Sequence, residues 1–391
     1  MSVPLLQETG FARLSPIEQV IALPLPDRIR SSTPKDDGAP ARNVLEIVVA
    51  PAATSNRCYV LFSGGRDSSS LLALATHVAR RANADDPIPV TVHHRNAPRA
   101  DESEWQHLVL AHLRLRDRIV LEFEGEQSML GDAATASLQR NGLVWLPTIQ
   151  LHGAIYRQLE PGAMVSGEGG DLIIGSRRIT AVSSAIAAHR WRDAARAMPR
   201  TALPGRLGRA MREAMGAARS SAPWLTAAGV ELLAETIQQL SREPLSWRRG
   251  VAAAVGSRAV RIGSQNFLAM ARTFGLSPVN PFEDVAFATA LGREGGFLGL
   301  GDRTALMRYL FHDLLPDAVL SRTTKAAFNE TRWTERERDF VQNWNGSGVD
   351  RNFIDAERLR AEWLENGPLG LSDLHLHAAW LAQHGLPAVP L

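Results

Sequence analysis

Three short segments carry the side chains best able to do chemistry. Ser63-Gly64-Gly65-Arg66-Asp67-Ser68 lies between an apolar run and a helical pattern. Two glycines let backbone amides approach an anion closely, and the N-terminus of the following helix adds its dipole and free N–H groups. Ser63 and Ser68 supply hydroxyl donors. Asp67 inside such a loop needs a cation between itself and the phosphates, which points to Mg2+. The loop lacks the spacing and the Lys of G-x-x-x-x-G-K-[ST], and it is not G-x-G-x-x-G. About 100 residues later, Ser166-Gly167-Glu168-Gly169-Gly170-Asp171 follows another short apolar run. It offers a second Gly-rich surface at Ser166 and Gly167, a candidate base in Glu168 and a second metal-seeking carboxylate in Asp171. The third segment joins NPFED (280–284) to the stretch 303–330, which holds Arg322, Lys325 and Phe328. The chain has only two lysines, Lys35 and Lys325. Where Arg is the habitual cation, a Lys suggests a need for a compact ammonium between a carbonyl and a phosphate. The pairs His93-His94 and His375/His377 have no third ligand at metal-site spacing, so structural or substrate-lining roles are expected.

The elements that must position these groups alternate regularly. Residues 57–62, 88–93, 119–123 and 163–166 read as short buried strands. Residues 68–81, 103–115 and 148–159 read as helices, with Trp105, Leu108, Val109 and His112 expected on one face of the second. This predicts an α/β fold, a doubly wound parallel sheet with ligands at the carboxyl ends of its strands, where the Gly-rich segments fall. After about residue 177 the spacing is helical with almost no strand signal. Residues 1–45 therefore read as a Pro-rich N-terminal extension with a flexible linker or exposed loop over 31–42. Residues 46–176 read as the α/β core and 177–391 as a mainly helical part that completes the site.

Composition sets outer limits. The chain has 391 residues, 45% hydrophobic and 21% charged, so it is long enough for two domains and unlike a disordered or fibrous protein. No run of about 20 apolar residues is present to span a bilayer. No secretory signal is visible, and the single cysteine, Cys58, leaves no intramolecular disulfide, so a cytoplasmic protein is expected. A net charge of +2 argues against nucleic acid as a partner. Ten arginines against two acids between Arg177 and Arg219 form either a solvated helix face or a docking surface for an acidic protein or peptide.

SGGRDSS resembles the pyrophosphate-binding loop of the PP-loop ATP pyrophosphatases. SGEGGD, with LPTIQLHGAIYRQLEPGAMV before it, resembles the synthetase domain of asparagine synthetases, shared with β-lactam synthetases and lasso-peptide cyclases. The R-x-x-K-x-x-F pattern of Arg322, Lys325 and Phe328 is similar as well, and the likeness spans roughly 50–335. It implies an adenine-nucleotide α-hydrolase type of sheet. It implies that Ser63, Gly64, Gly65, Asp67 and Ser68 hold the pyrophosphate part of ATP, with Asp67 and Asp171 on Mg2+. Leu61, Val92 and Gly167 would meet the adenosine mainly through backbone, beside Ser166. Glu168 would be a general base or orienting group, and Lys325 would stabilise charge on the acyl-adenylate or tetrahedral intermediate.

Departures from the family pattern fall where substrate identity is decided. D-E-x-F-G-G-Y is here Asp171-Leu172-Ile173-Ile174-Gly175-Ser176-Arg177, and R-x-P-F-L-D becomes Pro278-Val279-Asn280-Pro281-Phe282-Glu283-Asp284 without the Arg. Glutamine-dependent relatives place a catalytic Cys after the initiator Met. Here Ser2 stands there, so glutamine hydrolysis by that route is not expected. The resemblance implies an ATP-dependent ligase that adenylates a carboxylate, releases pyrophosphate and joins the acyl group to an amine, with an intramolecular amide or macrolactam favoured. Ammonia-dependent asparagine formation, nucleotide or tRNA modification, and a non-catalytic ATP-binding subunit are the alternatives.

Overall fold

The computed structural model describes residues 10–27, 37–202, 207–368 and 370–389. Five parallel strands form one sheet in the order β3-β2-β1-β4-β5: β1 (Cys58–Leu61), β2 (Ile88–His94), β3 (Ile119–Phe123), β4 (Gly162–Val165) and β5 (Leu276–Val279). Tyr59 pairs with Ile88 on one side and with Met164 on the other, so β1 is central and apolar throughout. The chain winds from β1 outward to β2 and β3, then returns to β4 on the opposite flank. The crevice of this doubly wound α/β sheet therefore opens between the carboxyl ends of β1 and β4.

Alternation along the strands divides two cores. Cys58, Val60, Phe62, Ala163 and Val165 pack with helices α2 (Ala41–Ala53) and α3 (Arg66–Arg81). Tyr59, Met164 and Leu276 face a second layer with Ile149, Ile155, Phe267 and Met270. Helix α3 places Asp67 in its first turn and Arg80 and Arg81 in its last, matching its dipole at both ends. A third core joins Val20 and Ile21 of α1 (Pro16–Ile21) to Trp224, Leu233, Trp344, Trp363 and Leu376.

Four expectations are corrected. The segment after residue 177 contributes a strand, β5, whose four residues include Pro278. An edge position tolerates this proline because its missing N–H faces away from the sheet. Residues 41–53 form α2, whose buried Val44, Leu45, Val49 and Ala52 keep helical spacing within Pro-rich surroundings. The rest of the expected linker lies partly outside the described residues. The helix expected over 148–159 is a 3-10 turn, Pro147–His152, followed by the single turn Gly153–Tyr156. In α4 (Ser103–Leu113) the buried face is Gln106, Val109, Leu110 and Leu113, while Leu108 and His112 are exposed.

The Arg-rich stretch is partly internal. Arg177 donates to the carbonyls of Leu172 and Ile173 and pairs with Glu243, and Arg178 also bonds Glu243. Arg190 and Arg196 flank Asp193 on an exposed helix that carries Trp191. Arg206 lies outside the described residues. No helix among the described residues is long and apolar enough to cross a membrane.

Candidate active site

Both Gly-rich segments leave the sheet at the crevice. The first turns from β1 into α3, with Gly65 at the helix N-cap. Ser63 Oγ lies 3.1 Å from Ser68 Oγ, and Ser68 Oγ donates to Gly65 O at 3.2 Å, folding the loop around the helix N-terminus. Gly64 adopts φ +90, and a Cβ there would meet Gln106 and Glu102 at 3.1–3.2 Å, so conformation and space both require glycine. The second segment leaves β4. Gly167 passes so close to α3 that a Cβ would sit 3.3 Å from the Ser68 nitrogen, which brings the two loops into contact.

A cleft of about 450 Å3 opens above them. Leu61, Ser63, Gly65, Asp67, Ser68, Val92, Ser166, Gly167, Glu168, Asp171 and Lys325 all line it. Gly64 lies behind the lining, where its carbonyl accepts from Arg322 Nη1 at 3.0 Å. The wall near Leu61 and Val92 is completed by Val90, Ala100 and Phe328, an apolar slot of the kind a flat base fills. His94 joins this wall, with its ring edge-on to Phe123 and Phe328. His375 and His377 are buried elsewhere, in contact with the carbonyls of Val20 and Met129, and are structural.

The carboxylates are sharply differentiated. Arg303 grips both oxygens of Asp67 at 2.7 and 2.6 Å and also bonds Asp171, while Lys325 Nζ donates to Asp171 Oδ2 at 2.8 Å. Burial pushes the Asp67 carboxyl up against the pull of Arg303. Burial pushes Asp171 up too, but Lys325 and Arg303 hold it below the ordinary carboxylate range. Glu168 has no cation beside it among the described residues. Burial, then the charges of Glu283, Asp171 and Asp67, push it up to about 7, a shift that the exposure of the residue to the cleft moderates. Its backbone N–H is fixed by Ser166 Oγ at 3.1 Å, and Ser166 donates to Asn280 at 3.0 Å.

One guanidinium bridges Asp67 and Asp171, so the two carboxylates already share a single cationic centre. That donor set fits Mg2+, which commonly takes one or two carboxylates and completes its shell with phosphate oxygens and water. No group of three or more His, Cys, Asp or Glu among the described residues could hold a metal alone, so nucleotide oxygens would be part of the shell.

Arg303 and Glu283 escape motif reading, and Arg322, legible in the R-x-x-K-x-x-F pattern, gains partners that the pattern does not show. Arg322 forms a buried ion pair with Glu102 and lies 4.6 Å over the Trp105 ring, tying the 322–328 segment to the first loop. Arg303 and Glu283 sit inside segments whose outline is legible, yet nothing in their spacing shows that they fold back onto Asp67 and Glu168. Arg303 follows the helix N-cap Asp302, which signals a helix start and nothing more. Residues 42–382 match the family model for asparagine synthase. No curated protein matches the chain.

Proposed function

Because the chain belongs to the asparagine synthase family, a family of ATP-dependent ligases, we propose that it activates a carboxylate as an acyl-adenylate and transfers it to an amine. The observation that carries this reading is the pairing of two Gly-rich loops at the β1/β4 crevice, with Asp67 and Asp171 drawn to one cation. Ser63, Gly65, Ser68 and the α3 N-terminus would hold the pyrophosphate portion of ATP. Leu61 and Val92 would flank the adenosine. Asp67 and Asp171 would hold Mg2+, which would neutralise phosphate charge as pyrophosphate departs.

A substrate carboxylate oxygen attacks the α-phosphorus, and pyrophosphate leaves with the bonding pair. The amine then attacks the acyl carbon, and AMP leaves. Glu168, poised near neutrality, takes a proton from the amine. Lys325 presents an ammonium to the charge that develops on the acyl oxygen or the phosphate. A second cavity of about 350 Å3 shares Gly167, Glu168 and Asp171 with the cleft, which favours an amine larger than ammonia and a substrate that reaches both spaces, as an intramolecular amide requires. The exposed helix with Arg190, Arg192, Arg196 and Trp191 is a candidate docking face for an acidic peptide substrate.

Incubation with ATP, Mg2+ and panels of amino-acid and peptide carboxylates, read by 31P NMR, tests the reaction class. AMP and pyrophosphate in equal amounts are expected. ADP and phosphate as the stoichiometric products would overturn the reading.

A further inference from the structure

The second cavity has a one-sided charge. Trp145, Ile149, Val260 and Phe267 form its apolar wall, and Glu168 and Glu283 lie on its polar side. Among the described residues no Lys or Arg lines it, and burial holds His152 on its wall neutral at ordinary pH. Asp67 and Asp171 at its mouth are already matched by Arg303 and Lys325. Glu168 and Glu283 have no ion-pair partner among the described residues.

Glu283 is held in place. Its Oε2 accepts from Asn280 Nδ2 at 2.9 Å, and Asn280 is itself tied to Ser166. Gly169, at φ +79, leaves room for the carboxylate, since a Cβ there would lie 2.9 Å from Glu283 Oε1. Half-buried Glu283 beside Glu168 leaves two acids facing one apolar chamber. Such a chamber repels a substrate carboxylate and rewards an ammonium that brings its own hydrophobic body.

We propose that this cavity holds the amine partner of the ligation as a primary ammonium with an apolar or aromatic body, and that Glu283 selects it. The inference rests on the ligase reading. Ammonia would fill only a small share of the volume, since a molecule the size of water occupies about 30 Å3. In the reaction the ammonium passes one proton to Glu168, and the freed nitrogen lone pair forms the bond to the acyl carbon. The C–O bond to AMP breaks with its electron pair on the phosphate oxygen, and the second N–H proton goes to water. Glu283 exchanges no proton in these steps and acts on binding alone.

Saturation-transfer NMR of the full chain with phenethylammonium, 2-phenylethanol and 3-phenylpropionate measures the charge preference without turnover. Phenethylammonium is expected to bind about tenfold or more tightly than either analogue, and Glu283→Gln to weaken it about tenfold. The thermal shift caused by MgATP should be unchanged in that variant. The inference is overturned if phenethylammonium does not bind, if the alcohol or the carboxylate binds equally well, or if Glu283→Gln stays within twofold. Should that variant not fold, the charge series on the unaltered protein decides. Product analysis keeps the two readings apart. AMP and pyrophosphate without amine preference sinks only this inference, and amine preference with ADP formation sinks only the ligase reading.

Discussion

Single side chains at the crevice divide into those that sequence spacing reveals and those that only folding delivers. Asp67, Glu168 and Asp171 stand in contiguous Gly-rich motifs, where an acid among glycines is legible as chemistry. Lys325 is legible from rarity, and the structure places its ammonium on Asp171 at the cleft. Its side chain is 78% exposed, so this ion pair contributes little to stability and leaves the amine free to move toward a substrate. Lys325→Ala should keep ATP affinity within roughly tenfold while kcat falls about 10²–10³, and Lys325→Arg should not restore it. Single-turnover kinetics beside ATP titration reads the two effects, and a near-normal kcat in the Arg variant would remove Lys325 from the reaction. Arg303 is not legible, because its partners are more than 130 residues away. It compensates an Asp67 carboxylate that burial disfavours, so Arg303→Ala leaves two neighbouring acids unmatched. That variant should melt several degrees lower in EDTA and recover part of the loss in millimolar Mg2+. The unaltered protein should respond to Mg2+ alone far less.

At the scale of elements, the four strands β1 to β4 and the helices α3 and α4 are readable because buried parallel strands are short apolar runs and both helices begin beside a Gly or Ser. The helix Asp132–Asn141 before β4 follows a Gly too, but its mostly small and polar residues spell no apolar face. β5 is not legible because Leu-Ser-Pro-Val carries neither alternation nor a β-branched run, and its place at the sheet edge comes from pairing with β4. α2 is not legible because Pro40 before it and Pro51 inside it obscure a helical repeat that only packing against α3 makes decisive. The element that holds the site together is the junction between the first loop, α4 and the 322–328 segment. Glu102 and Arg322 are 7% and 5% exposed at the side chain, Arg322 also holds Gly64 O, and Gln106 Nε2 donates to Ser63 O at 3.2 Å. Removing one partner of a buried pair costs about 3–5 kcal/mol, because the other charge is left without compensation. Glu102→Gln should therefore lower stability by about that amount, as read by urea denaturation. KM for ATP should rise, since the loop loses its brace, and a variant with unchanged stability would show that the junction is not structural.

Across the whole molecule, the third core joins chain segments from both ends and carries an internal pH conflict. Helix Asp373–Gln383 buries Asp373, His375 and His377 within two turns. Burial lowers both imidazoles to about 4, opposed by backbone contacts to Val20 and Met129. Burial raises the Asp373 carboxyl to about 7 against the charge of Arg332, and its Oδ1 has no hydrogen-bond partner among the described residues. The two kinds of group act on stability with opposite signs. An unfolded His binds its proton near 6.5, above the folded value, so the His contribution is full above about 6.5 and falls as pH drops toward 4. An unfolded Asp ionises near 3.9, below the folded value, so the folded chain holds the extra proton between about 4 and 7. Its contribution is full near pH 4, is lost as pH rises, and has gone above about 7. Asp373→Asn should therefore raise Tm by a few degrees at pH 8, where the native carboxylate is ionised with its Oδ1 unbonded, and by clearly less at pH 5. The acid-side fall set by His375 and His377 should persist in the variant, because those rings are untouched. Thermal scans at the two pH values decide the point. An equal change at both would mean that Asp373 acts through packing or hydrogen bonding alone, and that its charge is not what limits this core.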